Sequence, residues 1–513
     1  MQFLDDSEAA VLAAVAALAQ GNPFLPERVA SERAVLGGDF VDSGAVWHAE
    51  TELSGLHPNL ERLRAAVETL APRLRDRLAE GARARREELV HYEGLVRHLL
   101  YMRYEACWLD LIRRAEAGEP TTARIPEYRA FARDVAHFCE LPTCELPSAS
   151  SAAHLFAWGY QIRRAFHHTF RQIYGGSMAA ARLRAAVWQS IFTHDVQRYR
   201  RALYDRMGDI PTLVTGASGT GKELVARAIG FSRYIPFDPK SQSFATDFAS
   251  SFHAVNLSAL SPTLIESELF GHRRGAFTGA VEDREGWLET CGPHGTVFLD
   301  EIGELAPGIQ VKLLRVLQAR VFQRIGETRE RRFEGKIIAA TNRDLDAEMG
   351  AGRFRPDFYY RLCADRIETP GLREQLADSP EELGRLLGVL AHRIAGDEEG
   401  PALAVEAERW ITGRLPTDYA WPGNVRELEQ CVRNVLVRGS YLPSRVPARA
   451  DDLALELAEG RLTADELLRR YCTDVYARVG SYEETARRLG LDRRTVKAKL
   501  DPERLAALRG DET

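Results

Sequence analysis

The stretch TLVTGASGTGKELVARAI, residues 212–229, constrains this chain more than any other, because it admits one local structure. Four apolar or β-branched residues make a strand. Gly216, Ala217, Ser218, Gly219, Thr220 and Gly221 turn the backbone so that its N–H groups converge, and Lys222 and Glu223 open a helix. A strand, a glycine loop and a helix start form a cradle for a phosphate, with the lysine reaching the outer phosphates. Glu223 occupies the place where a hydroxyl ordinarily holds Mg²⁺, so metal binding must lean on a second carboxylate site.

GTVFLDEIGEL supplies that site. Its apolar strand delivers Asp300 and Glu301 together at the strand end, Asp300 to hold Mg²⁺ and Glu301 to orient and deprotonate an attacking water. HAVNL and KIIAATN are two further strands, the second ending in Asn342 beside the phosphate. Short buried strands interleaved with helices predict a parallel sheet covered on both faces. Arg355 and Arg361 follow in GRFRPDFYYRL, and Arg426 opens a helix in WPGNVRELEQ. The loop GHRRGAFTGA sets Phe277 among Gly275, Ala276, Thr278, Gly279 and Ala280, where little bulk hides it, and the reading is that Phe277 projects to touch a partner.

Taken together, GASGTGKELVARAI, ESELFGHRRGAFTGA, GTVFLDEIGEL, VKLLRVLQ, IIAATNRDL, GRFRPDFYYRL and WPGNVRELEQ resemble the AAA+ ATPase domain of sigma-54-dependent transcriptional activators, the bacterial enhancer-binding proteins. The resemblance covers about half of the chain. It implies an α/β AAA+ P-loop core with a helical lid, ATP and Mg²⁺ as cofactors, and Glu223 as the usual residue after the lysine. It also implies that Asn256 couples nucleotide state to Glu301, that Asn342 is sensor I and Arg426 sensor II, and that Arg355 and Arg361 reach a neighbour's ATP. A cation arriving from the next subunit stabilises charge on the transferred phosphoryl group and is worth ~10³ to 10⁵ in rate, which requires a self-assembled ring, a hexamer by resemblance. GAFTGA is then the contact with sigma-54 RNA polymerase holoenzyme.

The ends complete the organisation. Residues 1–172 read as a mostly α-helical regulatory domain with amphipathic stretches near 60–79, 84–117 and 151–173, and no receiver pattern. Residues 173–370 form the ATPase subdomain, 371–440 the lid, and 441–460, with two prolines, a linker. Residues 461–513 resemble a Fis-type helix-turn-helix, turning at Gly490, with Arg493, Arg494, Thr495, Lys497 and Lys499 facing double-stranded DNA upstream of a promoter. The net charge of −6 excludes a globally basic coat but permits this local module. His167 and His168 are assigned to a partly exposed helix face, and residues 231–251, longer than the family leads one to expect, receive no role. An acidic start, interrupted apolar runs and seven cysteines without paired CxxC spacing read as a cytoplasmic protein that does not enter the membrane. Two other functions fit the motifs: a AAA+ remodeller of another client, and a DNA-binding regulator whose ATP site only controls assembly.

Overall fold

The computed structural model describes residues 3–42, 58–148, 150–379, 381–443, 463–502 and 505. It divides into two compact units, Met1–Ser440 and Tyr441–Thr513. The linker assigned to 441–460 lies outside the described residues from 444 onward.

The larger unit opens with helices. Asp5 caps Asp6–Leu18 through a reciprocal box with Glu8, whose carboxylate also receives Arg77 at 2.6 Å. The helices Pro58–Ala79, Arg86–Glu116, Tyr128–Cys139 and Ala152–Gln172 follow, the last capped by Ser151. Leu95, Leu99, Trp108, Ile112, Phe131 and Phe156 are all buried in one core. Among the described residues no helix is long and apolar enough to cross a membrane.

The sheet begins only at β1 (Thr212–Thr215). Two short hairpins accompany it: β2 (Phe237–Asp238) with β3 (Ser243–Phe244), and β6 (Val321–Phe322) with β7 (Arg331–Arg332). The main sheet takes β4 (Phe252–Asn256), β5 (Thr296–Asp300), β8 (Lys336–Thr341), β1 and β9 (Asp365–Glu368) in the order β4-β5-β8-β1-β9, all parallel. Every residue of β8 is buried, which explains its unbroken apolar run. Lid helices follow from Leu372: Leu372–Asp378, then Glu382–Arg414, broken at Gly396 where φ is 77°, then Asn424–Arg438.

Between Ile173 and β1 the chain is helical rather than β-rich. The helix Met178–Phe192 puts Val187, Trp188 and Phe192 into a core shared with Trp158 and Phe170 on one side and Val225 and Ile229 on the other. The helical domain and the parallel sheet therefore fold around continuous apolar contacts.

Residues 231–251 acquire a structural role. Phe237, Phe244 and Phe248 are buried in the N-terminal helical core, with the Phe237 ring centroid 4.5 Å from that of Tyr128 and the Phe244 centroid 4.4 Å from that of Tyr160. The Ile125 N–H donates to the Gln242 carbonyl at 2.7 Å, and Arg164 donates to the carbonyls of Phe231 and Arg233 at 2.7 and 2.6 Å. The same segment corrects the reading of His168. That ring is 1% exposed, set between Phe231 and Phe248, because its helix face meets the insertion instead of water. Burial holds its pKa well below the ordinary histidine value.

In the smaller unit, Ala464–Val479, Tyr482–Leu489 and Arg493–Lys499 form three helices. Thr463, Ser481 and Asp492 cap them, and Gly490, at φ 65°, makes the turn between the last two.

Candidate nucleotide site and its output loop

β1 ends at the glycine loop, and two of its glycines are required sterically as well as conformationally. A Cβ on Gly216 would stand 2.1 Å from Thr369 Oγ1, and one on Gly219 2.2 Å from the Gly423 carbonyl, both at positive φ. The loop is thus closed over by the end of β9 and the start of a lid helix. Thr220 Oγ1 lies 2.7 Å from Thr369 Oγ1 and donates to the Ala217 carbonyl at 2.8 Å.

Lys222 is 7% exposed, and its Nζ donates to the carbonyls of Gly216 and Ala217 at 3.0 and 3.1 Å. Burial lowers its pKa, and the nearby Glu301 and Asp300 carboxylates oppose that shift. An ammonium resting on two carbonyls at the helix N-terminus is placed where it could take phosphate oxygens in their stead. Glu223 takes Arg227 instead, at 2.8 Å on the outer helix face.

Asp300 ends β5 in register with Asn256 of β4, and Glu301 follows it directly. Asp300 is half-buried, and burial and the adjacent Glu301 push its pKa up, while Lys222 pulls it down. Glu301 adopts the left-handed conformation, φ 58° and ψ 51°, which costs a non-glycine residue on the order of 1 kcal/mol. That turn brings Glu301 Oε2 to accept the backbone N–H of Asn342 at 3.3 Å. The carboxamide oxygen of Asn256 accepts from Ser258, from its N–H at 3.0 Å and its hydroxyl at 2.8 Å.

On the lid, Arg426 Nη1 donates to Ser218 Oγ at 3.0 Å. Asn424, buried at φ 52°, had no signal in the sequence apart from lying two residues before Arg426. Its Nδ2 donates to the Ser218 carbonyl at 2.9 Å and its Oδ1 accepts from Leu372 N. Thr369 is likewise a contact residue that sequence reasoning passed over. Among the described residues neither Arg355 nor Arg361 has a hydrogen bond or ion pair to this cluster. Arg355 is exposed and paired with Asp357 at 2.7 Å, and Arg361 is exposed six residues further on, near the end of the same helix.

The loop 275–280 has a fixed stem and a small-residue tip. His272 pairs with Arg284 in both directions, at 3.0 and 2.9 Å, and Arg274 N donates to Asp283. Gly275 N donates to the Ala280 carbonyl at 2.8 Å, closing the tip, with Gly275 and Gly279 at φ 80° and 101°. Phe277 does not project freely. Its ring lies edge-on to His272, centroids 4.9 Å apart, because the closed turn folds it back on the stem. Thr278 is exposed, and the neighbouring Val281, 80% exposed, adds an apolar group that the sequence reading omitted.

In the smaller unit Arg494 and Lys497 are exposed and Thr495 partly so, while Arg493 pairs with Glu483 at 3.2 Å and Lys499 with Asp465. The five residues share one short helix and its start.

Residues 191–368 match a family model described as the sigma-54 interaction domain. Over 220 residues, 43% of this chain and 38% of the relative, the sequence is 47% identical to a Nif-specific regulatory protein of Azotobacter vinelandii. Over 295 residues, 56% of this chain and 62% of the relative, it is 40% identical to the transcriptional regulatory protein ZraR of Escherichia coli (strain K12). The chain therefore spans less than two thirds of the length of these curated relatives. A solved structure of NtrX from Brucella abortus aligns over 75% of this chain and 81% of its own, at 24% identity and a TM-score of 0.38.

Proposed function

We infer that this chain, which belongs through residues 191–368 to the family of sigma-54-dependent bacterial activators, hydrolyses ATP and spends the free energy on remodelling sigma-54 RNA polymerase through the loop 275–280. The observation that carries the reading is the convergence of Lys222, Asp300, Glu301 and Asn342 on one end of the sheet, beneath Asn424 and Arg426 of the lid.

The donor set fits a divalent cation. Two adjacent carboxylates, one of them disfavoured as an anion by burial, stand beside a phosphate loop, and a cation there offsets their repulsion. Asp300 would hold Mg²⁺, which neutralises charge on the phosphates when bound. The protein's own residues do the rest. Lys222 leaves the Gly216 and Ala217 carbonyls for the β- and γ-phosphates, and Gly216 to Gly221 present backbone N–H groups. Glu301, steered by its left-handed backbone, orients water and takes its proton, and Asn342 and Asn256 tie its position to the nucleotide. Arg426 reports ATP to the lid. Arg355 and Arg361, exposed and outside the protomer's own cluster, serve a neighbour's ATP in a ring, a hexamer by family resemblance. The exposed Thr278 and the neighbouring Phe277 meet sigma-54, and Arg493, Arg494, Thr495, Lys497 and Lys499 meet upstream double-stranded DNA. Residues 1–172 restrain or license assembly.

The test is co-migration with sigma-54 when the protein is held with ADP and a metal fluoride. A nucleotide-dependent complex supports the reading, and its absence transfers the motor to another client.

A further inference from the structure

A cavity of about 740 Å³, partly open to solvent, lies between the N-terminal helices and the helix Met178–Phe192, and the ATPase reading does not use it. Its volume lies in the range of small-molecule sites. The lining is dominated by rings and aliphatic groups, among them Tyr101, Trp158, Phe166, Phe170, Trp188 and Leu63. Phe166 and Trp188 lie with centroids 5.0 Å apart, so part of the wall is already an aromatic stack.

Polar capacity is left over in the same walls. Glu32 Oε2, His98 Nε2, Trp158 Nε1 and Trp188 Nε1 are sequestered from solvent without a hydrogen-bond partner. Unsatisfied buried polar atoms are rare in folded proteins, and a concentration of them around one cavity marks a place for a missing group. Three of the four arginines of the wall are paired with carboxylates, Arg28 with Glu32 at 2.6 Å, Arg64 with Glu105 and Arg97 with Glu93 at 3.5 Å, and the fourth, Arg163, is engaged in contacts of its own. An ionised ligand would have to break one of these pairs. Burial and the neighbouring Arg28 lower His98 to about 4, so the imidazole offers a neutral donor or acceptor rather than a charge.

We propose that this cavity is a binding site for an uncharged, largely apolar molecule that carries a ring system and at least one hydrogen-bonding group. The rings of the wall take its body, the indole N–H groups suit an acceptor on it, and Glu32 suits a donor. Trp158, Ile162, Phe170 and Trp188 of the wall belong to the same buried core as Val214 of β1 and Val225 and Ile229 of the helix that follows the glycine loop. Filling the cavity therefore changes the packing behind the nucleotide site. That last step, an effect on turnover, rests on the ATP-hydrolysing reading; binding itself does not.

The experiment titrates the full chain with N-phenyl-1-naphthylamine, an uncharged aromatic amine that fluoresces in apolar surroundings. Saturable enhancement at about one probe per chain is expected. Ala106→Trp places bulk at an exposed wall position and is expected to weaken probe binding at least about tenfold, with the circular dichroism and urea midpoint of the wild type. Competition gives a second reading independent of any variant: 1-naphthol displaces the probe at lower concentration than 1-naphthoate. No saturable enhancement, or undiminished binding in Ala106→Trp, overturns the site. Displacement by naphthoate at the same or lower concentration overturns the uncharged ligand class. Altered ATP turnover in probe-saturated protein supports the coupling, whereas unchanged turnover overturns the coupling alone and leaves the site supported.

Discussion

Asn424 donates from its carboxamide to the Ser218 carbonyl at 2.9 Å and accepts from Leu372 N through its other end. One buried side chain thus ties the glycine loop to two lid segments. Asn424→Gly keeps the positive φ and removes both bonds. Loss of one buried hydrogen-bonded partner costs about 1–3 kcal/mol, so ATP affinity should fall about tenfold, as read by titration with a fluorescent ATP analogue. Unchanged affinity would show that the lid does not act through this residue.

Glu301→Gln keeps the shape of the side chain and removes the base. Nucleotide binding should persist while turnover drops by ~10² to 10⁴, the usual contribution of general-base catalysis. Phosphate release measured at saturating ATP checks it, and retained turnover would move the base to another residue.

Thr278 is exposed at the tip of a loop whose stem is pinned by His272 and Arg284. Thr278→Ala should leave ATP hydrolysis intact and abolish open-promoter formation with sigma-54 polymerase, scored by permanganate reactivity of the melted strand. Normal melting by this variant would remove the loop from the output.

Phe244 is 2% exposed and packs on Tyr160 and Phe237, across the junction between the insertion and the N-terminal helices. Phe244→Ala should destabilise by about 3–5 kcal/mol, the usual cost of emptying such a site. The urea midpoint should fall, and protease cleavage near residue 120 should accelerate. An unmoved midpoint would mean that the insertion does not hold the domain.

His98 sets a pH dependence of stability. Its folded pKa, about 4, lies below the ordinary value of about 6.5, so the unfolded chain binds the proton first. Stability is full above pH 6.5 and falls as pH drops toward 4, by an amount on the order of 3 kcal/mol. His98→Gln should flatten the urea midpoint between these limits. A slope equal to that of the wild type would assign the acid sensitivity elsewhere, His154, His168, His253 and His294 being imidazoles that burial displaces in the same direction.

Local chemistry made much of the candidate nucleotide site legible. A glycine loop after an apolar strand, acids at the end of another and a wholly buried KIIAAT are patterns whose physical reason acts within a few residues: backbone freedom, helix-end charge, burial on both sheet faces. What lay beyond the sequence were the relationships between distant segments. Nothing local says that His168 meets Phe231 and Phe248, that Phe277 turns back on His272, or that Asn424 reaches Ser218 across 206 positions. An aromatic or amide side chain carries no label for its partner, because apolar burial is non-directional and a hydrogen bond asks only for a matching group in reach. Which groups come within reach is decided by how helices and sheet close over one another, so the welded N-terminal domain and its cavity belong to the tertiary structure alone.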